Sequence, residues 1–118
     1  MVVLLAFTTL CALLVAYVGF IGLAGKLPPN SFAGIRTPYT RASRENWLAV
    51  HQSGGPYMVL LAVPAIAAGL AFLPFALANE VPDGAIIAIL IGQGILVVTG
   101  AILAAWIGTS RAKARSAS

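Results

Sequence analysis

Charged side chains are missing from three long stretches of this sequence, residues 1–25, 46–79 and 84–110. An α-helix rises about 1.5 Å per residue, so about 20 apolar residues cross a hydrocarbon core of about 30 Å. Each stretch is long enough. In the second, the apolar part begins near Tyr57 and runs to Ala78. The pattern predicts an all-α integral membrane protein, one membrane domain over residues 1–118, with spans at about 1–25, 57–78 and 85–109. Composition agrees: 60% of the 118 residues are hydrophobic and 8% are charged, against about a quarter charged in an ordinary soluble domain. A disordered chain, a collagen-like chain and a typical soluble enzyme domain are excluded. The first stretch has no basic region before it and exceeds a signal-peptide core in length, so it is expected to stay as an uncleaved helix.

The few charges are sorted by side. Lys26, Arg36, Arg41 and Arg44 lie between spans one and two, and Arg111, Lys113 and Arg115 follow span three. Glu80 and Asp83 occupy the short connection between spans two and three, which holds no base. Basic residues favour the cytoplasmic side, so the loop 26–56 and the tail 110–118 are expected there, with the N-terminus outside. Tyr57 and Trp106 fall where aromatic rings anchor at headgroup level. The basic balance thus points to anionic lipid headgroups and not to nucleic acid.

Helices in lipid gain little from apolar burial against each other, and small residues that permit close approach matter more. The third span carries Gly92, then Gly100, Ala104 and Gly108, a stripe suited to helix packing, either within the chain or against a membrane protein partner or second copy. Gln93 needs a partner in lipid and should face another helix. Pro64 lacks an N–H and should free the carbonyl of Leu60. Cys11 has no second cysteine to pair with. One His, one Cys and three carboxylates supply neither a metal site nor a catalytic set, so no cofactor, no metal and no enzymatic activity are expected.

The informative segment is the loop 26–56. Pro28-Pro29 should end the first helix and Asn30 suits a turn. Gly34 permits a positive φ or a close backbone approach. Thr40 or Ser43 can cap a short interfacial helix running to about Ser53, with Trp47 and His51 on one face. Gly54-Gly55-Pro56 is expected to break that helix before span two.

The pattern Asn30-x3-Gly34-Ile35-Arg36-Thr37-x2-Thr40-x2-Ser43-x3-Trp47-x3-His51 resembles the signature of the SdpI-like family, bacterial immunity proteins for a secreted killing factor. The resemblance implies a bacterial cytoplasmic-membrane protein that protects its host from a membrane-active toxin peptide. It also implies signalling, by holding a cytoplasmic regulator at the membrane once toxin is engaged. The residues themselves allow two accounts of the motif. In one, Arg36 with Thr37 and Thr40 forms an anion pocket for a lipid phosphate or a partner's acidic group, closed by Trp47 and tuned by His51. In the other, Arg36 bonds carbonyls of its own loop while Asn30 and Thr40 hold the turn. An accessory subunit of a larger membrane enzyme or transporter is the alternative function that size and the small-residue stripe also fit.

Overall fold

The computed structural model describes residues 1–117. It contains α1 (Val2–Leu23), α2 (Pro38–Ala42), α3 (Arg44–Leu77) and α4 (Asp83–Ala117). Three of them, α1, α3 and α4, are long and apolar enough to cross a membrane. The chain is a multi-pass membrane protein, and its outer apolar faces meet lipid.

Helix ends follow local chemistry. α1 stops before the two prolines expected to end it. Gly25 adopts φ 74°, which lets the Gly25 amide reach the Gly22 carbonyl and the Lys26 amide reach Ile21. That left-handed cap satisfies carbonyls the helix would otherwise leave open. Asn79, at φ 58°, ends α3 in the same way, with Glu80 donating to Phe75. Thr37 caps α2 in a reciprocal capping box with Thr40, and Pro38 follows at the first helical position. Ser43 is extended and turns the chain from α2 directly into α3, where its hydroxyl accepts from the Asn46 amide.

One expectation is overturned here. Gly54-Gly55-Pro56 does not break the helix: α3 runs unbroken from Arg44 to Leu77, through Pro56, Pro64 and Pro74. The segment expected to be a separate interfacial helix up to about Ser53 is the first part of α3, and the short helix of the loop is instead α2, Pro38–Ala42. The glycines are used for packing. A Cβ on Gly55 would stand 2.5 Å from the Gly19 carbonyl oxygen of α1. One on Gly54 would collide with the Ala104 carbonyl of α4. Two flanking helices therefore press against adjacent residues of α3, which small residues alone allow in lipid.

α3 lies in the middle, packed on α1 and on α4, while α1 and α4 touch each other less. Gly100 meets Leu61 and the Tyr57 carbonyl, and Gly108 meets Gly54 and the Val50 carbonyl. With buried Ala104 they make the α4 side of the α3 contact. Gly92 does not belong to it, since nothing lies within 4 Å of where its Cβ would be. Helical geometry explains this: at about 100° per residue, Gly100 and Gly108 lie about 40° to either side of Ala104, while Gly92, twelve positions before Ala104, is about 120° around the axis. Gln93, eleven positions before Ala104, is only about 20° off the stripe. Gln93 is indeed buried between helices, donating to Thr9 Oγ1 at 3.1 Å and the Ala65 carbonyl at 3.0 Å, and accepting from Thr8 Oγ1 at 2.6 Å. Leu5, Ala76 and Ile86 close the end of the bundle remote from the loop.

With 34 and 35 residues, α3 and α4 are about 50 Å long, well beyond a hydrocarbon core of about 30 Å. Their excess lies at the same end of the bundle, where Lys113 sits 5.2 Å from the Tyr39 ring centre and Arg111 donates to the Tyr57 hydroxyl at 3.2 Å. Tail and loop bases thus share one end, and Glu80 and Asp83 lie at the other.

Gly55→Leu is expected to lower unfolding stability in mixed micelles by about 1–3 kcal/mol or more, as overpacking does. Gly92→Ala should leave it unchanged or raise it by up to about 1 kcal/mol. Equal losses from the two would show that Gly55 does not set the helix spacing.

Candidate functional site: a loop clamped to the third helix

The loop between α1 and α3 has little secondary structure of its own, so its backbone polar groups need other partners. α3 supplies three. Asn46 Nδ2 donates to the Tyr39 carbonyl at 3.0 Å, and Trp47 Nε1 to the Leu27 carbonyl at 3.0 Å. His51 Nε2 accepts from the Ile35 amide at 2.8 Å. These three side chains hold the beginning, middle and end of the loop.

The hydrogen bonds also settle the state of the imidazole. An amide N–H can only donate, so Nε2 carries a lone pair. The ring proton therefore sits on Nδ1, which lies 2.7 Å from the Trp47 carbonyl oxygen and donates to it. His51 is neutral in this arrangement, because a second proton on Nε2 would face the Ile35 N–H. The Trp47 and His51 rings stack at 4.4 Å, and both side chains are buried. Gly34 covers them at φ 112°, where a Cβ would come within 2.7 Å of His51 Nε2 and 3.1 Å of the Trp47 ring. Conformation and space both require glycine there.

The remaining motif residues bind the loop to itself. Asn30 Oδ1 accepts from the Phe32 and Ala33 amides at 2.8 and 2.7 Å, and its Nδ2 donates to the Pro28 carbonyl at 2.9 Å. Thr40, also buried, donates its hydroxyl to the Ile35 carbonyl at 2.8 Å and accepts from the Thr37 amide at 2.9 Å. Thr37 Oγ1 accepts from the Thr40 amide at 3.2 Å. Arg36 stays exposed and donates through Nη1 to the Ser31 carbonyl. Of the two accounts of the motif, this geometry is that of Arg36 on a carbonyl of its own loop, with Asn30 and Thr40 holding the turn.

Sequence reasoning did not single out Leu27, whose buried carbonyl region anchors the loop, nor Asn46 as a tether. Asn46 could have been found: it sits beside Trp47, one turn before the motif's histidine. Arg41 and Arg44, expected to serve topology and lipid-surface charge and to add positive potential near the loop, line this end as well. They stand at the rim of a concavity of about 360 Å³ bounded by Asn30, Ser31, Ser43 and Trp47. The clamp and this concavity occupy the end of the molecule where the bases gather.

The model of the SdpI/YfhL protein family matches residues 26–109, which takes in the whole loop, α2, α3 and most of α4. No curated protein and no solved structure matches the chain.

Trp47→Phe and His51→Leu each remove one tether and leave a backbone group of the loop unpaired, at a cost of about 1–3 kcal/mol. Tryptic cleavage after Arg36 and amide exchange at Ile35 are expected to accelerate in both. Nitrogen NMR of the wild-type imidazole should report the Nδ1–H tautomer; a proton on Nε2 would refute the assignment.

Proposed function

The chain belongs to the SdpI/YfhL protein family, and we propose that it is a non-enzymatic immunity-type protein of the bacterial cytoplasmic membrane, working through its clamped loop. One observation carries this reading. The family match starts at Lys26, where the loop starts, and includes every side chain of the clamp. What the family shares thus includes the loop together with the helix that holds it, and this supports the loop as the working part.

The chemistry supports recognition over catalysis. Trp47, His51 and Thr40 are buried and bonded to backbone, so they shape the surface instead of reacting at it. The loop then offers a partner a fixed basic relief, with little conformational entropy left to lose on binding. In the proposed setting the loop and tail face the cytoplasm, and the partner is a regulator or another membrane protein engaged when a toxin peptide acts from outside. The stripe Gly100, Ala104 and Gly108 packs on α3 of the same chain, so it lends no support to an accessory-subunit role.

Expression in a bacterium sensitive to a membrane-active peptide toxin should raise survival. Trp47→Phe, present in the membrane at the same level, should lose most of that protection. Absence of protection by the wild-type chain against every toxin of the host's own neighbourhood would overturn the immunity role. For orientation, Ser116→Cys in a Cys11→Ala background is expected to react with an impermeant maleimide only after the cells are opened. Labelling of intact cells would reverse the topology.

A further inference from the structure

Arg41 and Arg44 differ from the other arginines of this end of the molecule. Arg36 donates to Ser31, and Arg111 donates to Tyr57. The side chains of Arg41 and Arg44, by contrast, have no hydrogen bond or ion pair among the described residues. Ser43 places them: its extended backbone separates the last turn of α2 from the first turn of α3, and both arginines line one concavity of about 360 Å³.

The remaining walls of that concavity are Pro29 and Trp47 on the apolar side and Asn30, Ser31, Thr40 and Ser43 on the polar side. Ser43 Oγ accepts from the Asn46 amide, which leaves its hydroxyl proton to donate. The Ser31 hydroxyl makes no bond within the described residues, while the Ser31 carbonyl is held by Arg36. Asn30 keeps the turn beneath them in place through three bonds. Glu45, exposed in the first turn of α3, is the one carboxylate in the loop region. Two forked cations and two hydroxyl donors around one hollow match a tetrahedral anion with several acceptor oxygens better than a planar carboxylate with two. The hollow lies on the loop that follows α1, at the end of the bundle where the bases gather.

We propose that this concavity is a phosphate-binding site, with Arg41 and Arg44 as the charged ligands and Ser31 and Ser43 as hydroxyl donors. The phosphate is either free or carried on a lipid headgroup, and the chemistry of recognition is the same. The site deepens the reading of the loop as the working face: the clamp built by Trp47, His51 and Asn46 keeps the hollow open, and the anion is what the hollow takes.

The test uses the full chain in an uncharged detergent, titrated calorimetrically with inorganic phosphate and, separately, with short-chain phosphatidic acid. Saturable binding of either supports the site; binding of the lipid alone assigns it to headgroups, and binding of both shows that the phosphate group suffices. Arg41→Gln/Arg44→Gln is expected to weaken binding about tenfold or more, the loss typical of charge-assisted hydrogen bonds. Its thermal midpoint should be unchanged, since neither side chain bonds to the protein. Arg111→Gln/Lys113→Gln removes the same charge elsewhere at this end and should change binding less than about twofold. Equal losses in the two double variants would reduce the effect to surface charge and overturn the proposal, as would acetate binding as tightly as phosphate, or no saturable binding of either probe. Toxin protection that persists without phosphate binding would remove this site and leave the proposed function standing.

Discussion

Everything in this molecule depends on how closely two helices can approach a third where lipid, not water, is the competing neighbour. Burial of apolar side chains gives helices in a bilayer little reason to associate, and close contact between backbones takes its place. At Gly54 and Gly55 the backbone of α3 is bare on two sides. The carbonyls of Ala104 and Gly19 occupy the space that side chains would fill. A few residues away on α3, Trp47, Val50 and His51 are buried against the loop and the neighbouring helices. The same crossing that holds the bundle together therefore sets the platform on which the loop is built.

While Arg36 and Ser43 stay exposed, Thr40, Trp47 and His51 of the motif face inward. Their polar atoms are matched to backbone groups of the loop, and within the described residues no buried side-chain nitrogen or oxygen lacks a partner. Sequence constraint in such a loop comes from shape: an indole to reach Leu27, an imidazole to receive Ile35, a glycine thin enough to lie over both rings. Groups available to a ligand stand beside that framework.

The membrane architecture was legible because its signal is redundant. Runs without charge, the placement of bases and the acidic pair at the opposite end all state it, and three apolar helices follow. The motif loop stood out for a different reason, since it gathers prolines, turn residues and the single histidine into one polar segment. What could not be read was whether Gly54-Gly55-Pro56 ends a helix or lets helices cross. In water such a triplet exposes backbone and breaks a helix; against two packed neighbours it has no backbone left to expose. That distinction depends on residues far away in the chain, Gly19 and Ala104, which no local pattern connects. Gly92 misled for the complementary reason. It repeats the spacing of small residues but lies on another side of α4, and the rotation of the helix decided against it. Gln93 was readable because a lone amide in lipid has few tolerable places.

The unbroken course of α3 has a mechanical consequence. The loop is fastened at Tyr39, Leu27 and Ile35 to a helix that continues to Leu77, near the opposite end of the bundle. A tilt or rotation of α3 as a whole therefore carries the loop with it. Gly54 and Gly55, pinned between neighbouring helices, offer no break at which the loop could part from the span. Bending within the span is left to Pro64 and Pro74, which lie beyond the attachment.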